Sequence, residues 1–315
     1  MAQAVVATAF GGPEVLKLVD KDVPAPSAGH VTIRVKASGI NPSDYKTYGG
    51  MFGADESKLP LPIGNEVAGI VTAVGEDAVG PSGPISVGDE VVGYRVIGGY
   101  STELNAKASN VLPKPGPLTW AQSANLLLTG TTAVHLLETV GVQSGETLLV
   151  HGASGAVGTI AIQLAVARGM RVIGTASSKN FDVIRRFGGE PVVYGDGLEE
   201  RVRALAPNGV DAALDTIGTD EALDVSVTLV TNRDRIATIN GFKHGAELGI
   251  RLLGASPGAD PGTELRNAAR LELIRLAQDG KLDVVVAKTF ALDDFLAAQE
   301  LLLSGHPGGK LAYVS

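Results

Sequence analysis

The chain reads as an α/β protein in two parts, a β-rich first domain followed by a doubly wound parallel sheet. Three observations predict this. Residues 1 to about 118 alternate short apolar runs with Gly and Pro clusters, the spacing of a small barrel. From Thr147 onward, short apolar runs alternate with stretches of helical periodicity, the pattern of parallel strands joined by helical crossovers. At Pro113, Pro115 and Pro117 the chain stiffens into a break of the kind that separates domains. The domains are predicted at 1–118 together with 256–315, and at 119–255.

In the first part the strand candidates are Val5-Val6, Val15 to Val19, Val31 to Ala37, Val67 to Val74, Glu90 to Tyr94 and Tyr100 to Leu104. Trp120 to Leu128 and Thr131 to Val140 have helical apolar spacing. Strands follow at Thr147–His151, Arg171–Thr175, Val192–Tyr194, Asp211–Asp215, Arg235–Ile239 and Ile250–Leu253, with helices opening near Ala156, Lys179, Leu198 and Thr219. Glu264 to Asp279 is amphipathic and stops at Gly280. The tail reads strand, helix, strand over Val284–Phe290, Asp293–Leu303 and Lys310–Val314, and is expected to return to the first domain.

Composition narrows the function classes. Of 315 residues 44% are hydrophobic and 19% charged, as in a soluble globular protein. A net charge of −8 argues against nucleic acid and anionic membrane surfaces as partners. Zero cysteines remove disulfides, thiolate catalysis and thiolate metal sites. Gly11, Gly12 and Pro13 interrupt any apolar leader early, so the cytoplasm is the expected compartment.

The chemistry is predicted around residues 146 to 179. Thr147–His151 is an apolar strand, Gly152-Ala-Ser-Gly155-Ala-Val-Gly158 a glycine-rich turn, and a helix and second strand follow. Gly152 lets the chain turn off the strand, Gly155 lets backbone N–H groups approach a pyrophosphate, and Gly158 lets the helix pack closely on the sheet. The helix N-terminus, with Ser154, Gly155, Ala156, Val157 and Gly158, then faces the phosphates. In the G-x-G-x-x-G register Ala153 replaces the first glycine, so the motif leans on its strand–helix–strand setting. Residues 147 to 167 lack Asp, Glu, Lys and Arg, yet their glycines and polar residues argue against a membrane span. A turn that serves packing alone, or a methyl-donor nucleotide site, is the competing reading.

The second strand runs into Ser177-Ser178-Lys179, with no acid before Asp182. An Asp or Glu there would accept from both ribose hydroxyls and select NAD; two hydroxyls and a lysine suit a 2′-phosphate, so NADPH is expected. A solvated turn with Ser178 as helix cap would use the same residues.

The order of these parts resembles the medium-chain dehydrogenase/reductase superfamily, and within it the zinc-free, zeta-crystallin-like quinone oxidoreductases. The phrases that carry the resemblance are Gly39-Ile-Asn-Pro-Ser-Asp44, Pro62-Ile-Gly-Asn-Glu-Val-Ala-Gly-Ile-Val71, Gly88-Asp-Glu-Val-Val92, Leu128-Thr-Gly-Thr-Thr-Ala133, His151 to Gly158 and Gly305-His-Pro-Gly-Gly-Lys310. The resemblance implies a GroES-like barrel as catalytic domain and a Rossmann domain for the nucleotide. Zinc-dependent relatives carry Gly-His-Glu where this chain has Gly64-Asn65-Glu66, and Asn41 falls near their first Cys. With His30, His135, His151, His244 and His306 scattered, no metal site is expected.

What the resemblance implies for the site is hydride transfer from NADPH to a quinone or α,β-unsaturated carbonyl. It places Asn41 beside the nicotinamide, with Asp44, Tyr45, Lys46 and Tyr48 at the cleft mouth. Tyr45, Lys46 and Tyr48 are the candidate proton donors. A plain turn and helix cap at Asn41-Pro42-Ser43-Asp44 is the alternative. Enoyl-thioester reductases keep a Tyr where this chain has Phe52. Thr132 resembles a residue near the nicotinamide ribose and Tyr194 one near the 2′-phosphate, although Tyr194 alone would be read as core. Ile217 lies in the turn after the fourth strand; Asn240, Gly241 and Phe242 follow the fifth, near the carboxamide. Lys310 resembles the closing Gly-Lys of the family, or is a solvated tail lysine. A homodimer through edge strands near Leu248–Leu253 is expected. The reading from a different class is a non-catalytic NADPH-binding protein with a structural or regulatory role.

Overall fold

The computed structural model describes residues 1–305 and 308–315. His306, within the Gly305–Lys310 phrase, lies outside the described residues. The chain forms two compact units, Met1–Leu128 with Leu271–Ser315, and Thr129–Arg270.

In the first unit the strand His30–Ile40 is the spine. Eight of its eleven residues are buried, as suits a strand with neighbours on both sides. It pairs antiparallel with Glu66–Val74, and Glu66–Val74 with Glu90–Tyr94. On its other side it pairs with Lys310–Val314, which in turn runs parallel to Val286–Ala291. The tail therefore returns to this unit, with Leu311 opposite Ile40. The core joins Val31, Ile33, Val35, Val67, Val71 and Leu104. A second cluster holds Ile40, Tyr48, Tyr100 and Tyr313.

In the second unit six parallel strands lie in the spatial order Glu190–Val193, Arg171–Ala176, Thr147–His151, Ala212–Asp215, Ile236–Thr238, Arg251–Leu252. That is the order 3-2-1-4-5-6, which reverses between the first and fourth strands of the unit and makes a switch point there. Leu148, Leu149 and Val150 are wholly buried, because helices cover both faces of such a sheet.

Most differences from the sequence expectations are at boundaries, where hydrogen bonding decides. The strand expected at Tyr100–Leu104 runs instead from Glu103 to Lys107, because the backbones of Tyr100 and Thr102 bond to Val5, Ile63 and Gln3. The helix expected near Lys179 begins as a short tight turn, Ser178–Asn180, before Phe181–Arg186. A helix at Phe242–Glu247 was not expected, since its six residues are too few to show an apolar period. Residues 119–128 stay with the first unit: Gln122 Nε2 donates to Asp283 at 2.9 Å and Asn125 Nδ2 to the Leu311 carbonyl at 3.2 Å. Residues 256–270 stay with the second, where Arg266 Nε donates to His135 Nδ1 at 3.2 Å.

Candidate functional site

At the end of the strand Thr147–His151 the chain reverses through Gly152, at φ +69°, a conformation open to glycine at little cost. The Gly155 amide donates to the Gly152 carbonyl at 2.9 Å, and Gly155 then caps the helix Ala156–Ala167. A Cβ on Gly158 would stand 2.4 Å from the Gly152 oxygen and 2.8 Å from the Ala153 Cα. The helix can therefore approach the strand only because Gly158 has no side chain. At Gly155 a Cβ would meet only the Gly152 oxygen, at 3.1 Å, so that side of the turn is otherwise open. Ser154, Gly155, Ala156 and Val157 are half-buried there, with the first N–H groups of the helix lacking intrahelical acceptors. Backbone N–H groups arranged in this way suit an anion.

Ala176 ends the neighbouring strand and pairs in register with Val193. Ser177, half-buried, and Ser178 and Lys179, exposed, follow it. Asn180, which sequence reasoning missed, ties this segment to the glycine turn by donating from Nδ2 to Ser154 Oγ at 3.3 Å. The first acid beyond, Asp182, pairs with Arg185 at 3.1 Å. Tyr194 is 55% exposed just past the adjacent strand, not a core residue.

Asp215, at the end of the fourth strand, is fully buried. It accepts from the Ile217 and Gly218 amides at 3.1 and 3.0 Å and from Thr238 Oγ1 at 2.5 Å. Burial raises its pKa against those donors. Its carboxylate shapes the backbone at Ile217, and Asn240 Nδ2 donates to the Thr216 carbonyl at 3.3 Å. A Cβ on Gly218 would fall 2.5 Å from the Gly241 nitrogen. Ile217, Asn240, Gly241 and Phe242 thus share two interlocked turns on the same sheet edge as the glycine turn. His151, under that edge, is buried with Nε2 lacking a hydrogen-bond partner, and burial pushes its pKa down to about 4. Thr132 is elsewhere in this unit. It is 5% exposed and accepts from Arg266 Nη1 at 3.2 Å.

In the first unit the Asn41 region forms a buried polar cluster. Asp44 Oδ2 accepts from the Asn41 amide at 2.9 Å and from Tyr100 Oη at 2.6 Å, and Oδ1 accepts from Asn65 Nδ2 at 2.9 Å. Glu66 accepts from Asn41 Nδ2 and from the Leu128 amide, each at 3.0 Å. Lys310 donates to the Ile40 carbonyl at 2.9 Å and to Asn41 Oδ1, and lies 3.7 Å from Glu66. Burial raises both carboxyls and lowers the ammonium, while the partners oppose those shifts.

Two expectations are corrected here. Lys310 is 5% exposed, a buried cation rather than a solvated tail lysine. Tyr48 is 1% exposed and donates to Gln299 Oε1 at 3.0 Å, so it is a core residue rather than a proton donor at a cleft mouth. Asn41 is also buried, and both ends of its amide are engaged. Tyr45 and Lys46 are half-buried on the helix Pro42–Tyr48, and burial lowers the Lys46 pKa. In the sequence the cluster is marked by the phrases Gly39–Asp44 and Pro62–Val71 and by Lys310. Among the described residues no three His, Cys, Asp or Glu gather as a metal site would require.

Comparison with known proteins agrees with this architecture. Residues 27–116 match the family described as alcohol dehydrogenase GroES-like domain, and residues 156–257 that described as zinc-binding dehydrogenase. The chain is 33% identical to a quinone oxidoreductase of Rattus norvegicus, over 96% of this chain and 93% of that protein. It is similar in structure to Escherichia coli quinone oxidoreductase complexed with NADPH (TM-score 0.84, 26% identity, 99% of this chain and 100% of that one). It is also similar to an NAD-dependent alcohol dehydrogenase (TM-score 0.85, 27% identity, 99% of each chain). A GroES-like unit closed by the returning tail, a six-stranded parallel unit with a glycine turn, and 33% identity over nearly the whole length of a curated relative have one reading: the chain belongs to the medium-chain dehydrogenase/reductase superfamily, among the zeta-crystallin-like quinone oxidoreductases.

Proposed function

We propose that the protein is an NADPH-dependent oxidoreductase that passes hydride to a quinone or an α,β-unsaturated carbonyl without a metal. The observation that carries the reading is the edge at Ser177-Ser178-Lys179. Solved neighbours include both an NADPH complex and an NAD-dependent enzyme, so this chain's own residues must decide between the two. Two hydroxyls and an exposed ammonium suit a 2′-phosphate. Asp215, the buried acid on the same sheet edge, already holds two amides and a hydroxyl. The glycine turn and helix N-terminus take the pyrophosphate.

Bound there, the reduced nicotinamide supplies two electrons and a hydrogen as hydride. A quinone then needs one proton to become the hydroquinone, and Tyr45 and Lys46 are the side chains we assign to supply it. A non-metal route is supported by the absence of cysteine and by the engagement of Asn65 and Glu66 with their own partners. A cytoplasmic homodimer associating along the edge strand Arg251–Leu252 belongs to the same reading, and light scattering tests the stoichiometry.

The experiment follows oxidation of NADPH and of NADH with a panel of benzoquinones, naphthoquinones and enones, with and without a strong chelator. The expected result is turnover that survives chelation and is faster with NADPH. Absence of turnover with every acceptor, or loss of activity on chelation, would overturn the proposal.

A further inference from the structure

The turn that carries Tyr194 is held by a residue to which neither the sequence reading nor the family comparison gave a role. Arg201, on the helix Leu198–Leu205, spends three N–H donors on this turn. Nε donates to the Val193 carbonyl at 3.1 Å, Nη2 to Gly195 at 2.8 Å and Nη1 to Asp196 at 2.7 Å. From the other side the Gly195 amide donates to Glu221 Oε2 at 3.2 Å. Gly195 and Gly197 sit at φ +95° and +78°, so the turn has little rigidity of its own. The planar fork of a guanidinium can bridge carbonyls spread over four residues; a lysine ammonium is a point donor and cannot.

Register says what this brace is for. Val193 pairs with Ala176 on the neighbouring parallel strand, so Tyr194 and Ser177 leave the sheet side by side. The exposed Tyr194 thus leaves the strand adjacent to the one that ends before Ser177, Ser178 and Lys179, the segment assigned above to the 2′-phosphate.

We infer that Arg201 is a positioning residue for coenzyme selection: it fixes Tyr194 beside the 2′-phosphate segment and so sets the preference for NADPH over NADH. The inference rests on the proposed NADPH reading and goes beyond it by naming the residue that maintains the preference.

The test is calorimetric binding of NADPH, NADH and 2′-phospho-AMP to the wild type, Arg201→Met, Arg201→Lys, Tyr194→Ala and the Arg201→Met/Tyr194→Ala double variant, with a melting curve for each. Arg201→Met should weaken NADPH and the phosphorylated fragment about ten-fold, within the range of contact couplings. NADH binding should stay nearly constant. Arg201→Lys should behave like Met. The double variant should cost no more than Tyr194→Ala alone, which a role in stability only would not produce. If Arg201→Met melts out, Glu221→Ala, which removes the opposite brace, should shift the same ratio in the same direction.

An unchanged NADPH-to-NADH ratio in both brace variants, additive losses in the double variant, or full rescue by lysine would overturn the inference while leaving the NADPH reading in place. A wild type without preference for NADPH would overturn both.

Discussion

Gly155 and Gly158 are three residues apart and ask for opposite outcomes from the same substitution. A methyl at Gly158 would lie 2.4 Å from the Gly152 oxygen and 2.8 Å from the Ala153 Cα. Ordinary contact begins near 3.4 Å, so helix and turn must separate by up to an ångström, and both obstacles are backbone. Overpacking of this kind costs about 1–3 kcal/mol. In a unit of this size each kcal/mol is worth roughly 2–4 °C, so Gly158→Ala should lower Tm by about 2–12 °C. At Gly155 the sole neighbour is the Gly152 oxygen at 3.1 Å, and φ is −75°, which alanine adopts freely. The mild squeeze is offset by about 0.4–1 kcal/mol from a less flexible unfolded chain. Gly155→Ala should therefore keep the wild-type Tm, yet its methyl stands where the pyrophosphate must approach. We expect NADPH affinity to fall at least about ten-fold, or about 1.4 kcal/mol. Scanning calorimetry and titration of both variants check this. A wild-type Tm for Gly158→Ala, or wild-type affinity for Gly155→Ala, would refute the assignment of the two glycines.

The remaining predictions address charge. His151 has its folded pKa pushed down to about 4 by burial, below its unfolded value, so the unfolded state binds more protons between pH 6.5 and 4. Its contribution is present above pH 6.5 and is lost as pH falls through 4; His151→Leu should flatten the acid side of the stability curve by about 3 kcal/mol at most. Urea melts at stepped pH read this, and parallel curves would contradict it. Lys310→Met leaves Glu66 buried without its cation and should cost about 3–5 kcal/mol. Adding Glu66→Gln should recover part of that loss in denaturant midpoints; no recovery would mean that the pair is not coupled. Ser178→Asp places an acid beside the ribose and should move the NADPH-to-NADH affinity ratio toward NADH; a ratio that stays fixed would remove this segment from coenzyme choice.

How much of this was legible in the sequence depends on whether a feature is local. The glycine turn announces itself because each glycine serves a backbone need within seven residues, and Ala156 opens the helix as predicted. The strand order follows from repeated crossovers. Tyr194 was assignable only through resemblance, since an aromatic residue closing an apolar run looks the same whether its ring points into the core or out. Lys310 and Tyr48 were misplaced for the converse reason. A lysine in a tail and a tyrosine on a polar helix look solvated until the partners are known. Those partners, Glu66 and Gln299, lie 244 and 251 positions away. Arg201 carries no signal at all, because its acceptors are carbonyls that any sequence would provide.

The corrected residues still bear on the chemistry. The helix Pro42–Tyr48 enters at Asn41, whose amide nitrogen donates to Glu66 and whose oxygen accepts from Lys310. One turn in, Asp44 is held by Asn65 and Tyr100, and at the far end Tyr48 is held by Gln299. Seven residues are thus pinned at both ends by buried hydrogen bonds that reach four distant parts of the chain. Tyr45 and Lys46 lie between those pins. A proton donor needs a fixed position more than it needs mobility, and a short helix has little stability of its own to provide one. Lys310 supports this helix from a distance: it lies 3.7 Å from Glu66, Glu66 accepts from the Asn41 side chain, and Asn41 caps the helix.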